Sequence, residues 1–131
     1  VVKCTRYETD ADGRVTAVYC TYDPETKGGE CERKIKGTIH WLNAATAVPA
    51  EMRLYEDLLN PEAEEDADFV DRLNPNSLIV VKGFVEPELA DKAPGYRCQF
   101  MRTGYFCADL DYTKEAPVFN RVVGLKDSYK G

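Results

Sequence analysis

Histidine is nearly missing from this chain: His40 is the only one among 131 residues. An isolated imidazole lacks a partner for acid–base work, so His40, in Thr38-Ile39-His40-Trp41, reads as a half-buried structural residue in mid-strand. No CxxC pair occurs among the five cysteines, Cys4, Cys20, Cys31, Cys98 and Cys107. That shortage argues against structural zinc, and no metal site is expected. GxSxG, HExxH and P-loop patterns are all absent, and Gly28-Gly29 and Gly37 form no phosphate cradle. No catalytic residue is therefore assigned, and composition favours a binding module. No apolar run approaches the roughly 20 residues that span a bilayer, so no membrane partner is expected. The opening VVKCTRYETD has neither a signal-peptide apolar stretch nor an initiator methionine, and we expect a piece of a longer chain. An odd cysteine count without such a signal points to reduced thiols in the cytosol.

What the chain does have is enough material for one core: 44% hydrophobic residues against 31% charged ones. The net charge of −6 argues, taken whole, against a nucleic-acid partner. Its distribution changes that argument. Residues 61–71, PEAEEDADFVD, carry six acids and no base; without them 17 acids face 17 bases. They lack the DxDxDG order of a calcium loop and read as a solvated face. From Arg97 to Gly131 six bases stand against four acids, a stretch able to face an anion.

The pattern predicts several short strands with little helix. RVTAVYCTY (14–22) is β-branched and aromatic, and DPETKGGECERK (23–34) is a loop. KIKGTIHWL (34–42) predicts a strand with Ile35, Ile39 and Trp41 on one face. VPAEMRLYEDLL (48–59) fits helix or strand, and the flanking prolines favour strand. EEDADFVDRL (64–73) predicts a short amphipathic helix with Phe69, Val70 and Leu73 inward. SLIVVKGFVEP (77–87) predicts a buried strand, Pro87 to Pro94 a turn or single helical turn, and PVFNRVVGL (117–125) a last strand. Such spacing suggests an antiparallel barrel or sandwich.

YRCQFMRTGYFCADLD (96–111) predicts a hairpin, two β-prone arms around Arg102-Thr103-Gly104. Gln99, Arg102 and Arg97 surround its turn. A glutamine accepts and donates in one plane, and arginine offers a planar fork of donors. Together they suit the edge of a flat, unstacked base, as in single-stranded RNA loops. The alternative is that they merely solvate a hairpin tip. Cys98 and Cys107, on the two arms, read as small packing residues.

KGTIHW (36–41), VPAEMRLYEDLL (48–59), LNPNSLIVVKGFVEP (73–87), YRCQFMRTGYFCADLD (96–111) and PVFNRVVGLKDS (117–128) together resemble the C-terminal anticodon-binding region of glutaminyl-tRNA synthetase. The resemblance runs in order over nearly the whole chain. It implies a mainly β fold, an antiparallel β-barrel of the type shared with a ribosomal 5S-RNA-binding protein, with one or two short helices. It implies a distal barrel at about 34–111, and flanking strands of a proximal barrel at about 1–22 and 112–131. The implied partners are the anticodon loop of tRNA(Gln) and the rest of the synthetase chain, in a cytoplasmic monomer. The parent would be a ligase joining glutamine to its tRNA, using ATP with magnesium in a catalytic domain that this piece lacks; no cofactor is expected here. Gln99 and Arg102 match positions that contact the middle anticodon base, a uridine. Met101 stands where the family usually has an acidic residue. Lys126 and Ser128 match a basic and a hydroxyl position near the same site, and Arg121 matches a position that either joins them or braces its strand. Rival readings are the barrel of a glutamate-specific synthetase, a free-standing 5S rRNA-binding protein, and a protein-interaction barrel whose acidic helix binds a basic partner.

Overall fold

A computed structural model describes residues 1–28 and 32–125. They fall into two compact units, Val1–Thr38 and Ile39–Gly131. The first unit is a ribbon of β1 (Val2–Thr9) and β2 (Val15–Tyr22), paired antiparallel. Asp10 makes its turn: the carboxylate accepts the amides of Asp12 and Arg14 at 3.0 and 2.8 Å, and Gly13 supplies φ of 79°. A single 3-10 turn, Pro24–Thr26, follows β2 and is capped by Asp23.

The second unit is one five-stranded sheet: β3 (Val48–Tyr55), β4 (Leu78–Val85), β5 (Arg97–Phe100), β6 (Gly104–Ala108) and β7 (Val118–Gly124). In space the order is β4-β3-β7-β6-β5. The fold is mainly β, and the helical residues described are two 3-10 turns, Pro24–Thr26 and Pro87–Asp91. One part of the expectation is corrected: the sheet is mixed, because β3 and β7 run parallel, with Glu51, Met52 and Arg53 opposite Val118, Phe119 and Asn120. A wholly antiparallel sheet would need an odd number of reversals between these two strands. The edge strands β4 and β5 border one cavity, so the sheet curls strongly toward closure.

The core lies on the inner face of this curl. Ala50, Val85, Phe106, Ala108, Tyr112 and Phe119 form it, with Met52, Leu54, Leu89 and Phe100 packed around them. Phe100 stacks on Phe106 at 4.2 Å, and both Phe100 and Tyr112 meet the Phe119 ring edge-on. The Tyr112 hydroxyl, otherwise a buried liability, donates to the Leu89 carbonyl and accepts the Lys92 amide.

Three further expectations are corrected. Residues 34–42 form no strand: Gly37 interrupts the run, no described strand pairs with it, and Ile35, Ile39 and Trp41 are exposed. Residues 64–73 form linked turns instead of a helix. Ten residues carry too few backbone bonds to sustain a helix without tertiary packing, and Phe69 and Val70 face solvent. The segment is closed at its base by the Leu59–Leu73 bridge and by the Arg72 carbonyl accepting the Asn60 amide at 2.8 Å. Finally, β4 is not buried. It is an edge strand, and only Val85 among its eight residues reaches the core. The segment from 48 keeps strand form, but only to Tyr55.

Candidate nucleic-acid interface

The β5–β6 hairpin forms as its sequence predicts, with Cys98 opposite Phe106, Gln99 opposite Tyr105 and Phe100 opposite Gly104. Burial alternates along β5: Cys98 and Phe100 turn inward, Arg97 and Gln99 outward. The connection is Met101-Arg102-Thr103, closed by the Thr103 amide donating to Phe100 O at 2.9 Å. Arg102 holds φ of 63°, the one described non-glycine residue on the positive side. This is the third position of the turn, and a positive φ there favours glycine. A side chain there costs about 1–2 kcal/mol.

Gln99 borders a cavity of about 520 Å³ that His40, Met52, Val81, Glu86 and Phe106 also line. That volume lies within the range of small-ligand sites. Its walls are mostly apolar, and the polar residues that border it are few: Gln99, Thr103 and the His40–Glu86 pair at 2.9 Å. Met101 and Thr103 both line it, while Arg102, between them, does not. The structure thus places Gln99 at the cavity and Arg102 at the adjoining tip. Among the described residues neither Arg97 nor Arg102 has an ion-pair partner. Arg121 differs: its guanidinium is engaged by Glu56, joining β7 to the chain just beyond β3. Lys126 and Ser128 lie outside the described residues.

A polar cluster that sequence reasoning missed stands behind the sheet. Arg53 on β3 reaches Glu51 at 2.9 Å, Asp111 at 3.0 Å and Asp109 at 3.3 Å. Three carboxylates hold its guanidinium firmly protonated, the Glu51 and Asp111 hydrogen bonds foremost. The Asp111 amide donates to Asp109 at 2.8 Å and the Asn120 side chain donates to its other oxygen. These bonds, with Arg53 nearby, hold the Asp109 carboxyl below the usual carboxylate range. No local sequence signal marks this cluster, because its members come from β3, β7 and the turn after β6. At Cys98, which packs against the core, burial first, then Cys107 and Glu86, pushes the thiol pKa up and disfavours the thiolate.

Fold and site define a small β domain that offers an amide, an arginine and a partly apolar cavity to a ligand, with no set of three metal-ligating side chains among the described residues. The chain belongs to the family described as tRNA synthetases class I (E and Q), anti-codon binding domain, whose model matches residues 38–109. Among similar curated proteins, the glutamine–tRNA ligase of Yersinia enterocolitica serotype O:8 is 52% identical over 135 residues, covering 98% of this chain and 24% of that protein. Those of Yersinia pestis (strain Pestoides F) and Yersinia pseudotuberculosis serotype O:1b are each 50% identical over 133 residues, with the same coverage. The chain therefore spans about a quarter of the length of these relatives.

Proposed function

We propose that this chain is the anticodon-reading part of a glutamine–tRNA ligase, and that Gln99 and Arg102 recognise the middle base of the anticodon, a uridine. The observation that carries this is Arg102: an arginine occupies a turn position that favours glycine, next to a cavity that Gln99 borders. Strain of that kind is a pointer to function, because packing alone does not require it. Extruding the base from its loop costs a few kcal/mol by analogy with flipped bases. Hydrogen bonds from the amide and guanidinium offset that cost for uridine. A wrong base leaves donors or acceptors unpaired, at about 1–3 kcal/mol each. Lys126 and Ser128 would add phosphate and hydroxyl contacts that position the loop without specifying it, and Arg121, already paired with Glu56, would brace β7.

In this reading the ligase reaction, with ATP and magnesium, belongs to the remainder of a longer cytoplasmic, monomeric protein. Residues 1–22 would contribute to a second barrel, whereas β7, within the expected returning segment 112–131, lies between β3 and β6 in the five-stranded sheet.

The test is binding of anticodon stem-loops carrying UUG or CUG, against the same loops with the middle uridine replaced by cytidine, followed by chemical-shift changes at Gln99 and Arg102. Arg102→Ala should reduce the preference for uridine about tenfold, one hydrogen-bonded contact's worth. Equal weakening on both loops would make Arg102 a phosphate clamp and overturn the assignment.

A further inference from the structure

Cys4 and Cys20 face each other across the β1–β2 ribbon. Its ladder runs Val2 to Tyr22, Lys3 to Thr21 and Cys4 to Cys20, with no register shift among these rows. At its end the Asp23 amide donates to Val1 O at 2.9 Å, which makes that row a hydrogen-bonded one. Hydrogen-bonded and non-hydrogen-bonded rows alternate in an antiparallel pair. Counting inward from Val1–Asp23, the Cys4–Cys20 row is non-hydrogen-bonded, the narrower kind. Its Cα atoms lie about 4.5 Å apart, within the roughly 4.4–6.8 Å that a disulfide spans. Residues in one row share a face of the ribbon, and both thiols are exposed. The contact that competes is weak: Cys4 Sγ donates to Arg6 O at 3.6 Å. A bulge follows at once, between Cys4 and Arg6, where added twist lets the backbone adjust.

The other described cysteines have no such geometry. Cys98 sits opposite Phe106 and Cys107 opposite Arg97, so the two occupy neighbouring rows and opposite faces of their hairpin.

We infer that Cys4 and Cys20 form a reversible cross-strand disulfide, a redox site whose co-reactant is a small-molecule disulfide such as oxidised glutathione. One protein thiolate attacks a sulfur of the small disulfide, giving a mixed disulfide and releasing one small thiolate. The second protein thiolate attacks the protein sulfur of that intermediate, closing the Cys4–Cys20 bond and releasing the other. Two protein thiols are oxidised, one small disulfide is reduced to two thiols, and the two thiol protons pass to the leaving thiolates. Exposed bonds of this kind are the readily reduced ones, so the site reports the glutathione poise and is not a permanent staple.

The chain suits a direct test, because Lys3, Arg6, Arg14, Lys27, Arg33, Arg97, Arg102 and Lys114 put each cysteine in its own tryptic peptide. The 131-residue chain is equilibrated in glutathione buffers of graded ratio, quenched with iodoacetamide, digested and read by mass spectrometry. The expected product is peptide 4–6 linked to peptide 15–27, rising with a single midpoint that does not depend on protein concentration. Both thiols disappear together, and Cys4→Ser leaves Cys20 as a glutathione adduct only. Separate adducts on Cys4 and Cys20 in the unsubstituted chain would overturn the inference. So would a link to peptide 28–33, or a product that grows with protein concentration. A chain keeping only Cys4 and Cys20, the others serine, gives the same readout by intact mass; if it does not fold, the peptide map of the unsubstituted chain decides.

Discussion

Arg102 carries the sharpest test at the scale of single residues, because its backbone and its side chain can be separated. Arg102→Ala removes the guanidinium but keeps a β-carbon at φ of 63°. Its stability should stay within about 0.5 kcal/mol of the parent. Arg102→Gly removes the guanidinium and the strain together, and should raise stability by up to about 1 kcal/mol after the glycine's unfolded-state entropy is subtracted. Both should reduce the preference for uridine in the stem-loop assay by the same factor. A glycine variant that is less stable in urea titration would mean that the arginine holds the turn and is not tolerated there for function. The hairpin that carries Gln99 and Arg102 was legible in the sequence because a glycine-containing loop between aromatic arms marks a hairpin tip. The positive φ was not legible, since Met101-Arg102-Thr103 does not show which residue takes the left-handed position. The Arg53 cluster was equally hidden: Asp109, Asp111 and Asn120 meet it only after β7 has docked beside β3.

Among elements, the hairpin and its neighbour β7 depend on Gly104. A β-carbon there would lie 2.7 Å from the Val123 carbonyl oxygen and 3.4 Å from the Gly124 backbone, neither of which can swing aside. Gly104→Ala should cost about 1–3 kcal/mol, read as a lower urea midpoint. Gly83→Ala should be milder, since its close neighbour is the flexible end of Met52. The β3–β7 contact also carries a pH signature. Asp109 is held below the usual carboxylate range, first by the Asp111 amide and then by Asn120. A depressed carboxylate contributes stability that is complete above about pH 4 and lost as pH falls through its folded value. Asp109→Asn should therefore melt lower at pH 7, with the gap to the parent closing in melts taken between pH 4 and 2. Asp91, lowered by Lys114, leaves a residual slope in the same window. Most paired elements were legible: β2, β3, β4, β5, β6 and β7 all fall within runs the sequence marks. Those that failed had pattern without partner, as in 34–42 and 64–73. β1 was overlooked as a separate strand because Val2–Thr9 mixes charge with apolar residues; the Asp12-Gly13 pair was the signal that could have announced its turn.

For the molecule as a whole, charge and topology set the terms. Six acids in residues 61–71 account for the net charge of −6, and they sit on an exposed set of turns. They oppose the approach of any polyanion. Replacing Glu62, Glu64 and Glu65 by glutamine should speed association with a stem-loop a few-fold at low salt. The gain should vanish near 1 M salt, where the screening length is about 3 Å; a gain that survives in stopped-flow traces at high salt would mean a direct contact instead. The overall class, mainly β with little helix, was legible from strand spacing, whereas the parallel pair was not, since no local pattern says which distant strands become neighbours. That pair has a consequence for biosynthesis. Glu51 must wait for Val118 to be translated before the middle of the sheet can be laid down. A nascent chain emerging from the ribosome therefore carries β3 with one flank open until β7 is out, a delay during which a chaperone has something to hold.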